Sequence, residues 1–299
     1  MAGDIHDIRT ALAREDAVFI TVNSFEGSSP REVGAWMLVL ADDVLGTVGG
    51  GNLEFQAIAY GRELLGTHVP NQPAAQTTET IHVGNLNPTD ELRRYPLGPS
   101  LGQCCGGVVH LKFSFISSHD AIKREAACAT ITLANSQNSL KIALFGGGHV
   151  GKALVRVLGT LPCAVQWVDS RDEIFPSDVP GNAECEHSSP VHAAVSQLQP
   201  ASHVLIMSFS HAEDLDVVAA CLTRLRDKND LPFIGLIGSK TKWATFRHRL
   251  EERGFSKEEI ARITCPIGID GVQGKEPEVI AVSVAAQLLR LRAKPIHAN

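Results

Sequence analysis

Apolar positions recur along this chain with two periods, and the way the periods alternate changes near residue 140. Ile5, Ile8, Ala11 and Leu12 fall on one face of a helix that the sequence predicts over 4–15, behind Asp4 as an N-cap. Ala17–Asn23 reads as a strand, followed by a loop from Ser24 to Arg31. Ala35–Leu40 and Val44–Val48 flank Asp42-Asp43 and predict a hairpin. Gly49-Gly50-Gly51 opens a helix over Leu53–Leu65, closed by Gly66. The polar stretch 67–77 predicts a surface loop, Thr80–Val83 a strand, and the Pro- and Gly-rich residues beyond it another loop. Leu101–Gly107 then leads into a strand over Val108–Phe115. A helix is expected within 117–139, ending in the polar run Asn135–Ser139, which reads as a linker.

Past that run, strands alternate with helices. Strands are predicted at 140–145, 164–168, 203–208 and 233–237, and a last helix runs from Pro277 to about Leu291. Such alternation implies right-handed crossovers and a parallel sheet covered on both faces. The expected fold class is α/β: a Rossmann-type doubly wound parallel sheet domain preceded by a smaller mixed α/β domain. The boundaries read as 1–135 for the N-terminal domain, 136–139 for the linker and 140–299 for the Rossmann-type domain with its C-terminal helix.

Within the second half, Leu140–Phe145 feeds a G-x-G-x-x-G turn made by Gly146, Gly148 and Gly151, and a helix follows. A second apolar strand ends in Asp169, where a ribose-binding acid belongs in a dinucleotide-binding unit. Glycines permit a close backbone approach, and the helix N-terminus offers unpaired N–H groups and a positive dipole to a phosphate. His149 lies in the first turn of that helix. The alternative is a tight turn without a ligand. Gly49–Gly51 could present its amides to an anion in the same way, or serve as a packing turn. Arg31 offers a planar fork suited to phosphate, or a surface ion pair. His211 and Asp214 follow the strand 203–208 at the sheet's carboxyl edge, where they fit a site or a helix cap formed by Ser210 equally well. Gln103-Cys104-Cys105-Gly106-Gly107 places two thiols between glycines before a strand. A thiolate there could ligate a soft metal or attack a sulfur donor, and the alternative is a buried pair of small residues.

The 299 residues allow two domains, and 44% apolar content is enough for sizeable cores. A net charge of −6 without a basic stripe argues against nucleic acid. Lys240, Lys242, Arg247 and Arg249 read as the solvated face of a helix, since Glu251 and Glu252 follow. The charged start lacks the apolar core of a secretory signal, and no apolar run reaches transmembrane length. The seven cysteines are odd in number and scattered, the pattern of reduced thiols in a cytoplasmic protein. Zinc-ligand spacings, a nucleophile elbow, a Walker A loop and kinase signatures are absent from the sequence.

Taken together, Gly27-Ser-Ser-Pro-Arg31, Gly46–Glu54, Leu101–Gly107, Phe145–Gly151 with Val168–Arg171, Phe233–Lys240, Pro266–Gly268 and Glu276–Ser283 resemble the xanthine dehydrogenase accessory family, of the XdhC type. The blocks occur in order over most of the chain. The resemblance implies a carrier and maturation factor more than a turnover enzyme. Such a protein binds molybdenum cofactor, protects it, assists its sulfuration with a cysteine desulfurase and delivers it to xanthine dehydrogenase as client. It also implies a homodimer. The residues expected to hold the ligand are Arg31, Gly49, Gly50, Gly51, Gln103, Cys104, Gly146, Gly148, His149, Gly151 and Asp169, with Cys104 as the metal-ligating and reactive thiol. Two positions depart from the family pattern: Phe209 stands where a polar residue is expected, and Asp43-Val44 replaces Asp-Gly at the hairpin. Gly146–Asp169 alone supports an alternative, an NAD(P)-dependent oxidoreductase. A scaffold that binds only proteins is a third reading.

Overall fold

A computed structural model of the chain describes residues 5–67, 90–97, 107–137 and 139–292. The Asp4 cap, the strand at Thr80–Val83, and Gln103, Cys104 and Cys105 lie outside the described residues. The chain divides into two units, Met1–Gln137 and Asn138–Asn299.

The first unit is built on an antiparallel sheet of order β3-β2-β1-β5-β4. Its strands are β1 (Ala17–Glu26), β2 (Trp36–Val39), β3 (Val44–Gly46), β4 (Asp90–Pro96) and β5 (Val108–Ile116). Both faces are covered, which is why β1 begins with six buried residues in a row instead of alternating. Val18, Ile20, Val22, Met37 and Val39 face α2 (Gly51–Thr67) through Leu53 and Ala57. Phe19, Trp36 and Leu38 face the other way, toward Ile8 and Leu12 of α1 (Ile5–Arg14) and Cys128 and Ile131 of α3 (Ala121–Gln137). The β2–β3 hairpin forms without a glycine at its turn: the Asp43 carboxylate accepts the Val44 N–H at 2.8 Å. Helix α3 runs on to Gln137, so part of the polar run that reads as a linker continues the helix.

The second unit has a wholly parallel sheet of order β11-β10-β9-β6-β7-β8. The strands are β6 (Leu140–Phe145), β7 (Cys163–Asp169), β8 (Ala183–His187), β9 (His203–Ile206), β10 (Phe233–Leu236) and β11 (Ile263–Thr264). Read from β6, the chain winds out to β8, returns past β6 to β9 and continues to β11. This is the doubly wound order, and its reversal point lies between β6 and β9. Ile142, Leu144, Val165 and Trp167 pack with α4 (His149–Leu158) and α8 (Pro277–Arg292). Phe145, Val168, Val204, Ile206 and Ile234 pack on the opposite face with α5 (His211–Asp227) and α6 (Lys240–Glu252). A short α7 (Lys257–Ile260) precedes β11. Among the described residues no helix is long and apolar enough to cross a membrane.

Candidate functional site

Gly146, Gly148 and Gly151 of the β6–α4 turn stand in three different surroundings. Gly146 sits at φ +126°, and a Cβ there would lie 2.0 Å from the Met207 carbonyl oxygen, on the chain leaving β9. Its N–H donates to Val168 O at 2.8 Å, and its carbonyl accepts the buried Trp167 indole N–H at 3.0 Å. Gly151 lets α4 close on the strand, because a Cβ there would come within 2.1 Å of the Gly146 carbonyl oxygen. Gly148 is unlike both: its φ of −69° suits any residue, and nothing lies within 4 Å of where a Cβ would point. The space beside it is open.

Gly148 is also the N-cap of α4 and supplies no side-chain hydrogen bond. By contrast Ser210, Ser239 and Ser256 cap α5, α6 and α7 with their hydroxyls. The first-turn N–H groups of α4 have no intrahelical acceptor, and no acidic residue occupies that turn. They offer hydrogen bonds and the positive end of the helix dipole to an anion. His149 is exposed at the start of this helix. At the reversal point beside Gly146, the buried Ser208 hydroxyl oxygen has no hydrogen-bond partner among the described residues.

Asp169 ends β7 where expected, but its carboxylate is already engaged. One oxygen accepts the Gly147 N–H at 2.6 Å and Arg171 Nη2 at 2.9 Å; the other accepts the Arg171 N–H and Nε, both at 2.9 Å. Its side chain is 1% exposed. Burial alone would raise its pKa, but the Arg171 guanidinium and the two amides outweigh burial and hold it below the usual carboxylate range. Asp169 thus stands at the position expected of a ribose-binding acid, with its carboxylate accepting four donors of the chain itself. Arg171 in turn lies 4.5 Å over the ring of Phe209, which is 66% exposed. The residue that departs from the family pattern thus carries a specific contact.

The loop after β9 is held from beneath. The Asp214 carboxylate accepts the Ser208 N–H at 2.7 Å and Lys242 Nζ at 2.6 Å, and Lys242 also donates to Ile237 O at 2.9 Å. Glu213 accepts from Ser170 Oγ at 2.6 Å and from the Phe209 N–H at 3.1 Å. Of the two readings of this segment, the cap is realised: Ser210 caps α5 and buried Asp214 braces the loop, while His211 is exposed beside Phe246. Lys242, which the sequence places on a solvated face, is instead a partly buried partner of Asp214; Lys240, Arg247 and Arg249 are exposed.

In the first unit the second glycine loop is filled from within. Gly49 sits at φ +133°, where a Cβ would meet Pro30 at 2.5 Å and Arg31 Cγ at 3.7 Å, so Arg31 and this loop do share a corner. The Glu54 carboxylate accepts the N–H groups of Val48 and Gly50, both at 3.1 Å, and the Thr47 hydroxyl. Gly49 N–H donates to Thr47 Oγ1 at 3.1 Å. The amides expected to meet an outside anion serve a carboxylate of the chain itself. Arg31 forks onto the neighbouring Glu32 at 3.1 and 3.2 Å.

Residues 142–288 match the XdhC Rossmann domain, and residues 11–73 match the XdhC and CoxI family. The chain belongs to the XdhC family. YqeB of Escherichia coli, itself uncharacterized, is 26% identical over 270 residues, covering 89% of this chain and 42% of YqeB. The chain therefore spans less than half the length of that curated relative. The crystal structure of a xanthine dehydrogenase from Bacillus halodurans superposes with a TM-score of 0.71 at 18% identity, over 99% of this chain and 98% of that one. That likeness establishes a shared fold across both halves.

In this XdhC-family chain, four of the five described thiols are buried or half-buried. Burial pushes Cys163 up to about 11 and Cys221 up to about 12. Cys128 is buried, Cys265 half-buried and Cys185 exposed. Among the described residues no cluster of three or more His, Cys, Asp or Glu side chains could hold a metal.

Proposed function

We propose that the protein is an accessory factor of xanthine dehydrogenase that binds molybdenum cofactor, shields it, assists its sulfuration and passes it to that enzyme as client. The observation that carries the reading is the uncapped start of α4 over open space at Gly148, within a chain of the XdhC family. That feature fits the phosphate end of the cofactor: first-turn amides, a helix dipole and room for an anion. When bound, the cofactor supplies a molybdenum centre whose oxo ligand is exchanged for sulfur. Cys104, with Gln103 beside it in the glycine-flanked motif, is the residue we assign to the metal and sulfur end, since a thiolate suits both. We assign Arg31 of the first unit a ligand contact as well, reached by release from Glu32. Gly49–Gly51 shapes the loop around Glu54. A cysteine desulfurase as sulfur donor, a cytoplasmic setting and a homodimer complete the proposal.

The test is the metal and pterin content of the full chain purified from cells that make molybdenum cofactor. The reading expects stoichiometric molybdenum in the wild type, a large loss in Cys104→Ser and retention in Cys105→Ser. An empty wild type, or equal retention in both variants, refutes the assignment. The doubly wound strand order with its glycine turn at β6 favours a second reading, in which the Rossmann half takes an NAD(P)-type dinucleotide.

A further inference from the structure

We infer that any dinucleotide taken by the Rossmann half carries a phosphate on its adenosine ribose, so that NADP(H) is preferred over NAD(H). The inference rests on the second reading above and is independent of the molybdenum reading.

The acceptor capacity of Asp169 is fully used. A carboxylate offers about four lone-pair sites. Four donors fill them here: the N–H groups of Gly147 and Arg171, and Nε and Nη2 of Arg171. A bare ribose diol donates its hydroxyls to the acid at this position, and at Asp169 it finds no lone pair free. To make room it would have to displace Arg171 from a buried carboxylate, which is costly unless another charge replaces it.

The cation that blocks the diol provides what a phosphate needs. Arg171 lies two residues beyond the acid at the end of β7, and its side chain is 34% exposed. Two of its side-chain nitrogens, Nε and Nη2, are held by Asp169, while Nη1 has no hydrogen bond among the described residues. The guanidinium plane is fixed from one side by Asp169 and from another by the Phe209 ring at 4.5 Å. It is thus preorganised to meet an anion with its remaining edge. The nearby Glu213 opposes an anion, but its oxygens are occupied by Ser170 Oγ and the Phe209 N–H. Asp172 is paired with His187 at 2.9 Å. Phe209 projects 66% of its surface into solvent beside this cation, a large apolar cost that an adenine base laid against it would recover.

The experiment is equilibrium titration of the full chain with NADPH and NADH, followed by nucleotide fluorescence, on wild type, Arg171→Ala and Phe209→Ala. The expected result is NADPH binding about tenfold tighter than NADH in the wild type, the gap of one charge-assisted contact. Arg171→Ala should close that gap. Phe209→Ala leaves the Asp169 pair intact and should narrow it about threefold, so it decides the matter if Arg171→Ala fails to fold. NADH binding as tightly as NADPH, or a gap unchanged in the folded variants, overturns the inference alone. Absence of binding by either nucleotide overturns it together with the dinucleotide reading.

Discussion

Gly146→Ala and Gly148→Val should separate what the turn does for the fold from what it does for a ligand. At Gly146 the added methyl would stand 2.0 Å from the Met207 carbonyl oxygen, at a φ of +126° that L-residues avoid. Overpacking of this kind costs about 1–3 kcal/mol and a forced backbone conformation about as much again. A total near 3 kcal/mol lowers the melting temperature by roughly 6–12 °C for a domain of this size. At Gly148 a Cβ meets nothing within 4 Å and φ is −69°, so the backbone there accepts a valine without strain. Loss of a glycine cap and gain of chain stiffness nearly cancel, which leaves a change of about 0.5 kcal/mol. The valine nevertheless projects into the space that an anion on the α4 amides would use. Thermal melts, paired with bound molybdenum, pterin and nucleotide, read both effects. Expected is a destabilised Gly146→Ala beside a stable but ligand-free Gly148→Val. If Gly148→Val melts as low as Gly146→Ala, or keeps its ligand, the division of labour argued for the turn is wrong.

Arg224 donates to the carbonyls of Val195 and Leu198 and forks onto Asp230, with only 5% of its side chain exposed. Arg224→Met should therefore cost about 3–5 kcal/mol in a urea melt, since it strands a carboxylate and two carbonyls. Asp230 is held below its ordinary pKa by that arginine, and Asp169 by Arg171 once burial is offset. Both contribute stability that is complete above the unfolded carboxylate value of about 3.9 and is lost as pH falls through the lower folded values. Melts from pH 7 down to pH 3 should show this loss, smaller in Arg224→Met. Native alkylation at mildly alkaline pH should label exposed Cys185 and spare Cys163 and Cys221 until denaturant is added, as peptide mass spectrometry would report.

The parts of the fold legible in the sequence are those whose burial is continuous or periodic. β6, α4 and β7 were readable because an apolar strand, a glycine turn and an amphipathic helix each leave a strong local pattern. β8, Ala-Glu-Cys-Glu-His, was not: it is an edge strand with exposed and half-exposed side chains, defined by its parallel pairing to β7. β4 is likewise a strand by partnership. Its charged sequence is held by pairing to β5, by the Tyr60 hydroxyl on Glu91 at 2.5 Å and by Arg93 stacked 3.3 Å over Tyr60. At the site, the position of Asp169 was readable, whereas its saturation depends on how the chain turns to bring Arg171 back onto it. The i, i+2 spacing of acid and arginine in Val-Asp-Ser-Arg is the signal that could have suggested it. Lys242 gave no such signal, because its partner Asp214 lies on another helix.

The two glycine loops show why composition alone does not identify an anion site. Both stand between a strand and a helix N-terminus, and both have an acid nearby. In the first unit the acid, Glu54, lies in the first turn of α2, so its carboxylate folds back onto the amides of Val48 and Gly50. The amides of Val48 and Gly50 are thus satisfied by their own chain, and an outside phosphate would compete with the Glu54 carboxylate for them. In the second unit α4 has no acid in its first turn. Asp169 approaches instead from the end of β7 and takes the Gly147 N–H, a residue before the cap. It fixes the shape of the turn, its charge is balanced by Arg171, and the helix dipole beyond Gly148 stays uncompensated. Of the two loops, the Gly146–Gly151 turn is the one that opens onto a helix start without a side-chain cap or an acid, and the open face of Gly148 is where a ligand has to be sought first.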